Sequence, residues 1–102
     1  MAKLIWTEPA LADLDAIADY IALDDPEAAK AFVKRVFVHV EQLKSHPESG
    51  SIPQELRPIR VYRQIVEPPC RVFYRLAEDD KIYIVHVMRG ERLLRGGNLK
   101  RS

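Results

Sequence analysis

The chain has 102 residues, 47% of them hydrophobic and 30% charged, a balance that fits one soluble globular domain and excludes a disordered chain. No run approaches the ~18–20 apolar residues of a membrane span, and MAKLIWTEPA lacks the apolar core and cleavage site of a signal peptide. A single cytoplasmic domain over residues 1–102 is therefore expected. The formal net charge of +1 conceals an asymmetry, because residues 1–56 carry five Lys/Arg against ten Asp/Glu while residues 57–102 carry eleven against five. A basic half of this kind predicts an acidic partner, whether nucleic acid or an acidic protein segment.

Lys3-Leu4-Ile5-Trp6 reads as a short first strand, closed by Thr7-Glu8-Pro9, in which Thr7 is the N-cap of a helix and Pro9 lies in its first turn. That helix should run to about Leu23. Leu11, Leu14, Ile17, Ala18 and Ile21 recur at helical spacing as its core stripe, and Asp13, Asp15 and Asp19 fall off the stripe as a solvated face. Asp24-Asp25-Pro26-Glu27 ends the first helix and starts a second, with Asp25 as cap and Pro26 at the first helical position. The second helix should reach Lys44 or Ser45, with Ala29, Phe32, Val33, Val36, Val40 and Leu43 as its stripe and Phe37 widening it. So short a link makes the two helices an antiparallel hairpin.

Ser45 to Pro58 contains Pro47, Gly50, Pro53 and Pro58 without an apolar period, and is expected to be a long loop of the functional or mobile kind. Ile59 to Ile65 reads as a strand, and Glu67-Pro68-Pro69 turns the chain into Cys70–Arg92. There Val72, Tyr74 and Leu76 alternate with Arg71, Phe73 and Arg75, the period of a strand with one buried and one wetter face. Ala77 to Lys81 supplies an acidic turn. Ile82 to Met88 is apolar on both faces except at His86, as in a central strand, and Leu93 to Ser102 reads as a frayed basic tail. The order strand, helix, helix, strand, strand, strand predicts an α+β fold: an N-terminal strand, a helical hairpin, then a three-stranded antiparallel meander, with the helices on one face of the sheet.

Phosphate-loop, dinucleotide, HExxH and nucleophile-elbow motifs are absent. Cys70 is the only cysteine, which excludes an intramolecular disulfide, and His39 and His46 lack a third ligand at metal spacing and read as surface residues. No metal and no cofactor is expected. What remains is arginine on strands: Arg60, Arg63, Arg71, Arg75, Arg89 and Arg92. Singly these fit the solvated face of a sheet; as a set they point to a basic working face.

The element order, together with LADLDAIADYI (Leu11–Ile21), DPEAA (Asp25–Ala29), LKSHPESG (Leu43–Gly50), CRVFYR (Cys70–Arg75) and IVHVMR (Ile84–Arg89), resembles the RelE/ParE toxins of bacterial toxin–antitoxin systems. The helix pattern and the DPxAA start are more similar to the ParE branch. RelE-like members are metal-independent ribonucleases that cut messenger RNA on the ribosome; ParE-like members are non-enzymatic poisons of DNA gyrase. Ribose 2′-hydroxyl attack needs a base, cations and a proton donor. Arg63, Arg71 and Arg89 match the cationic positions, but Gly90–Ser102 contains neither Tyr nor His for the C-terminal acid, and His86, inside a strand, is a weak substitute. Because guanidinium stays protonated, arginines of this kind bind without transferring protons.

The resemblance therefore implies a ParE-like toxin with no catalytic residue, of the plasmid-stabilisation type, which inhibits gyrase. Arg71, Arg75, Arg89 and Arg92 would be its toxic surface. It further implies a ParD-like ribbon-helix-helix antitoxin that contacts operator DNA in the toxin's stead. The antitoxin's C-terminal segment would cover the helical hairpin and sheet at Leu14, Ile17, Tyr20, Ile21, Phe37 and Arg63.

Overall fold

The computed structural model describes residues 1–56 and 61–90. Strand β1 (Lys3–Trp6) is followed by helices α1 (Glu8–Ala22) and α2 (Pro26–Glu41), then β2 (Tyr62–Glu67), β3 (Cys70–Ala77) and β4 (Lys81–Arg89), which is the predicted α+β order. The sheet runs β1-β4-β3-β2, with β2, β3 and β4 antiparallel in sequence and β1 parallel to β4. Short 3-10 turns at Gln42–Lys44 and Gln54–Leu56 punctuate the connection from α2 to β2.

Both helices start where their caps dictate. The Thr7 hydroxyl accepts from the Ala10 N–H, and the Asp25 carboxylate accepts from the N–H groups of Glu27 and Ala28, so donors that no turn of helix can satisfy are paired. Thr7 also donates from Oγ1 to the Ile84 carbonyl at 2.7 Å, which ties the start of α1 to β4 where β1 ends. The helix stripes meet the sheet: Leu14, Phe32, Val36, Val40 and Leu43 pack with Ile65, Val72, Tyr74, Ile82, Ile84 and Val87 in one apolar layer. The second helix ends at Glu41 and its last predicted residues tighten into the 3-10 turn.

Leu11, expected in the core stripe of α1, is 42% exposed, because the stripe that meets the sheet runs through Ala10, Leu14, Ile17 and Ile21; three further expectations change. Strand β2 begins at Tyr62 instead of Ile59, which lies with Arg60 outside the described residues. The face of β3 expected to be wetter is closed at its centre: Phe73 is fully buried, because Leu56 folds over it together with Val85 and Met88 as a second, smaller cluster. The third concerns Asp13, expected in the solvated face of α1, which instead turns inward. Beyond Trp6 the helix replaces β1 as the neighbour of β4, and Asp13 Oδ2 accepts the Val87 N–H at 3.2 Å, as a strand carbonyl would have done. The same oxygen lies 2.6 Å from His86 Nδ1. A β-bulge makes this possible, since the pairing passes from Phe73↔His86 to Tyr74↔Ile84 and leaves Val85 as the extra residue. The bulge re-aims His86, which stacks on Phe73 and is 6% exposed.

Candidate functional site

Strand alternation sorts the arginines. Cys70, Val72 and Tyr74 face the helices, so Arg71, Phe73 and Arg75 face the other way, beside Tyr62, Gln64 and Val66 of β2 and Tyr83 of β4. On this face each guanidinium lies over an aromatic ring: Arg71 at 5.0 Å from the Phe73 centroid and Arg75 at 4.7 Å from that of Tyr83. Such stacking holds a flat cation in a fixed orientation. Arg89 pairs with Cys70 and therefore leaves β4 on the helix side, where it lies 5.6 Å from the ring of Tyr20 on α1. Of the expected toxic set, Arg71 and Arg75 thus share one face, Arg89 lies around the edge of the sheet, and Arg92 is outside the described residues with the rest of the basic tail.

The connection expected to be a long loop of the functional or mobile kind is fastened to this region at several points. Ser51 forms an antiparallel bridge with Gln64, accepting from its N–H at 2.7 Å and donating to its carbonyl at 3.0 Å. The Tyr74 hydroxyl donates to the Pro47 carbonyl at 2.8 Å and accepts the Gly50 N–H at 3.0 Å. Burial pushes the Tyr74 phenol above its ordinary 10.0, because the desolvated phenolate is disfavoured more than the Gly50 hydrogen bond favours it. Gly50 is required for that approach, since a Cβ there would stand 2.5 Å from the Gln64 carbonyl oxygen and 2.6 Å from the Tyr74 hydroxyl. Arg63, expected among antitoxin contacts, donates from Nη1 to the carbonyls of Glu48 and Gly50 and so belongs to the fastening.

At the end of this connection the Gln54–Leu56 turn brings Glu55 onto Arg71. Arg71 Nη2 donates to Glu55 Oε2 at 2.9 Å and Nη1 to Oε1 at 3.3 Å, a bidentate pair, while Nη1 also donates to Gln64 Oε1 at 3.2 Å. Met88 Sδ stands 3.8 Å from Nη2. The two side chains are only 12% and 19% exposed, and they share a shallow cavity of about 460 Å³ with Gln54 and Gln64. Sequence reasoning missed Glu55 as a site residue. The sign of its charge was the available signal: the acidic half of the chain supplies carboxylates to the basic half, Glu55 to Arg71 and Asp13 to His86.

The remaining residues expected to meet an antitoxin divide by burial. Leu14 is 4% exposed and belongs to the core, so the chain itself uses this side chain; Ile17 and Ile21 are half-buried against the same layer. Tyr20 is 64% exposed and Phe37 41%, the latter tilted against Trp6 with ring centroids 4.9 Å apart. Between α1 and α2 runs a groove lined by Ala18, Ala22, Ala29 and Val33, with Asp19, Lys30 and Lys34 at its edges. Two more partners join α2 to β2, where Arg35 and His39 approach the Glu67 carboxylate at 3.4 and 3.1 Å, so His39 is a bridging residue more than a surface one. Among the described residues no three His, Cys, Asp or Glu side chains converge in a way that could hold a metal, and Cys70 is buried.

An α+β sheet with arginines on its outer face and a helical hairpin on the other is the class this geometry defines, and comparison with known proteins places it further. Residues 4–94 match the family model described as ParE toxin of type II toxin-antitoxin system, parDE. The chain belongs to that family of type II toxins. It is 36% identical over 93 residues to "Toxin RelE2" of Caulobacter vibrioides, covering 91% of this chain and 100% of that protein. It is 37% identical over 87 residues to "Putative toxin Y4kP" of Sinorhizobium fredii, covering 81% and 84%. Among solved structures it is similar to a chain of the chromosomal ParDE system from P. aeruginosa, with a TM-score of 0.72 and 30% identity over 89% of this chain and 98% of that one.

Proposed function

We propose that this toxin acts by binding DNA gyrase and holding it on cleaved DNA, so that replication stops, and that a ParD-like ribbon-helix-helix antitoxin neutralises it. The observation that carries this reading is a face on which two arginines are each held over an aromatic ring, fixed cations suited to docking. A guanidinium binds anions without transferring protons, His86 is buried against Asp13, and the Tyr74 hydroxyl is committed to Pro47. The sequence after Gly90 contains neither Tyr nor His. Docking through fixed cations suits this chemistry better than proton transfer does. The exposed Tyr20 and Phe37 and the groove between the helices support an antitoxin segment that folds on binding, burying apolar side chains there.

One observation favours a second reading, a RelE-like ribonuclease. Glu55 stands beside Arg71, and a carboxylate next to a cation is the pair that would take a 2′-hydroxyl proton and steady the phosphate. Purified toxin separates the two. Under the gyrase reading it blocks supercoiling and accumulates cleaved DNA while ribosome-bound messenger RNA stays intact, and Arg75→Ala weakens the block. Ribosome-dependent cutting that disappears in Arg71→Ala would overturn the gyrase reading and establish the enzyme.

A further inference from the structure

We propose that Glu55 is an internal competitor: its carboxylate occupies an oxyanion seat built around Arg71, and an anionic group of the target must displace it before the toxin acts. This rests on the reading above that Arg71 belongs to the working face, and it adds the regulation of that site.

The seat is complete without Glu55. Arg71 has its plane set by the Phe73 ring beneath it, by Gln64 Oε1 at 3.2 Å and by Met88 Sδ at 3.8 Å, while Nη1 and Nη2 both point at the Glu55 oxygens. A guanidinium fork binds carboxylate and phosphate through the same pair of parallel donors. The occupant and any incoming phosphate or carboxylate therefore compete for the same hydrogens.

Fastening the connection is a task other groups already perform. Tyr74 holds Pro47 and Gly50, Arg63 holds the carbonyls of Glu48 and Gly50, Ser51 is paired with Gln64, and Leu56 is buried with Phe73 and Met88 directly after Glu55. A largely buried ion pair gains little net stability over neutral side chains of similar size. Its effect at this place is to neutralise the best-oriented cation on the face. Gln54 and Gln64, which line the same cavity, remain as neutral polar walls once the carboxylate swings out.

The expected size follows from competition. If the latch is closed roughly nine-tenths of the time or more, the apparent affinity of Arg71 for an outside anion falls by about tenfold or more. Glu55→Gln should recover that factor. The measurement is a titration of the full chain with pyrophosphate, following the arginine Nε–Hε signals by NMR, with Arg71→Lys identifying the responding resonance. A response at Arg71 at least about tenfold tighter in Glu55→Gln than in the parent is the expected result. Glu55→Asp, which keeps the charge but withdraws it by one methylene, should fall between them.

Equal affinity in a folded Glu55→Gln overturns the latch, and if that variant does not fold, equal affinity of Glu55→Asp and the parent does so instead. Growth arrest provides the second arm: the latch predicts stronger arrest by Glu55→Gln. Arrest abolished by Glu55→Gln, together with lost ribosome-dependent cutting, means that Glu55 is a base, and overturns the latch. Tighter pyrophosphate binding without gyrase inhibition in either form supports the latch while removing gyrase as the target, so the two failures are distinguishable.

Discussion

On the helix side of the sheet, Val72, Tyr74, Ile82, Ile84 and Val87 meet Phe32, Val36 and Val40 in a continuous apolar layer; on the other side, Phe73, Val85 and Met88 lie under Leu56, with Arg71 and Arg75 around them. The first layer is closed by two full helices whose inward stripes do the packing. The second is closed by a short turn that also carries a charge. The large apolar layer lies on one face and the oriented arginines on the other, so under the proposed function substitutions on the two faces should separate folding from toxicity.

The largest effect is expected from Phe32→Ala on the helix side. Phe32 is almost fully buried at the centre of α2, and its truncation leaves a cavity between helix and sheet that costs about 3–5 kcal/mol. In a domain of this size such a loss should lower the urea midpoint severely or abolish the folded state, measured by far-UV circular dichroism. If the unfolding free energy instead falls by less than about 1 kcal/mol, the site has collapsed around the missing ring, and the helix layer is softer than its packing indicates.

Tyr74 joins the two regions, and Tyr74→Phe tests that junction. Its ring is in the helix-side layer while its hydroxyl holds the connection at Pro47 and Gly50. Removal of the oxygen leaves the buried Gly50 N–H without its acceptor and should cost about 1–3 kcal/mol. The pH dependence has a definite sign. Because burial raises the phenol pKa above its unfolded value of 10.0, the stability it contributes is fully present below pH 10.0 and is lost as pH rises through the folded value. Parent and variant should therefore differ by a constant amount at neutral pH, and their urea midpoints should converge in alkali. Parallel curves above the ordinary phenol value would mean that the hydroxyl reaches water, and that the connection is not sealed at Gly50.

Much of the fold is legible because its signals are local. Thr7 with Pro9, and Asp25 with Pro26, announce helix starts within a few residues, and the alternation of Arg71 to Leu76 separates the faces of β3 without knowledge of its neighbours. The site was less legible because its contacts are between distant residues. Asp13 sits beside Leu14 in sequence and reads as solvent-facing until β1 ends early and α1 takes its place along β4, which brings His86 and Asp13, 73 residues apart, together. Glu55 lies among prolines, where no periodicity reports which way a side chain points. Phe73 was expected to be wetter because alternation describes a strand's own faces and says nothing about the turn that later covers one of them.

The β3–β4 turn belongs to neither layer, which makes it the place for the smallest and cleanest effect. Asp79 and Asp80 adopt left-handed backbone, with φ of 61° and 54°, the pattern of a mirror-image turn that suits the twist of a hairpin. Aspartate tolerates this region better than most residues but still carries a steric cost from its Cβ, which glycine lacks. Asp80→Gly should relieve that strain, less the extra chain entropy glycine loses on folding, for a net gain of about 0.5 kcal/mol. In a domain of this size the midpoint of thermal unfolding should rise by roughly 2–4 °C. Toxicity should not change, because the substitution alters neither Arg71 nor the carboxylate that occupies it. A fall in melting temperature would show that the Asp80 side chain contributes more to the turn than its backbone strain costs. A change in toxicity at unchanged stability would mean that the acidic turn itself meets the target, and the division of labour between the two faces would have to extend to the end of the hairpin.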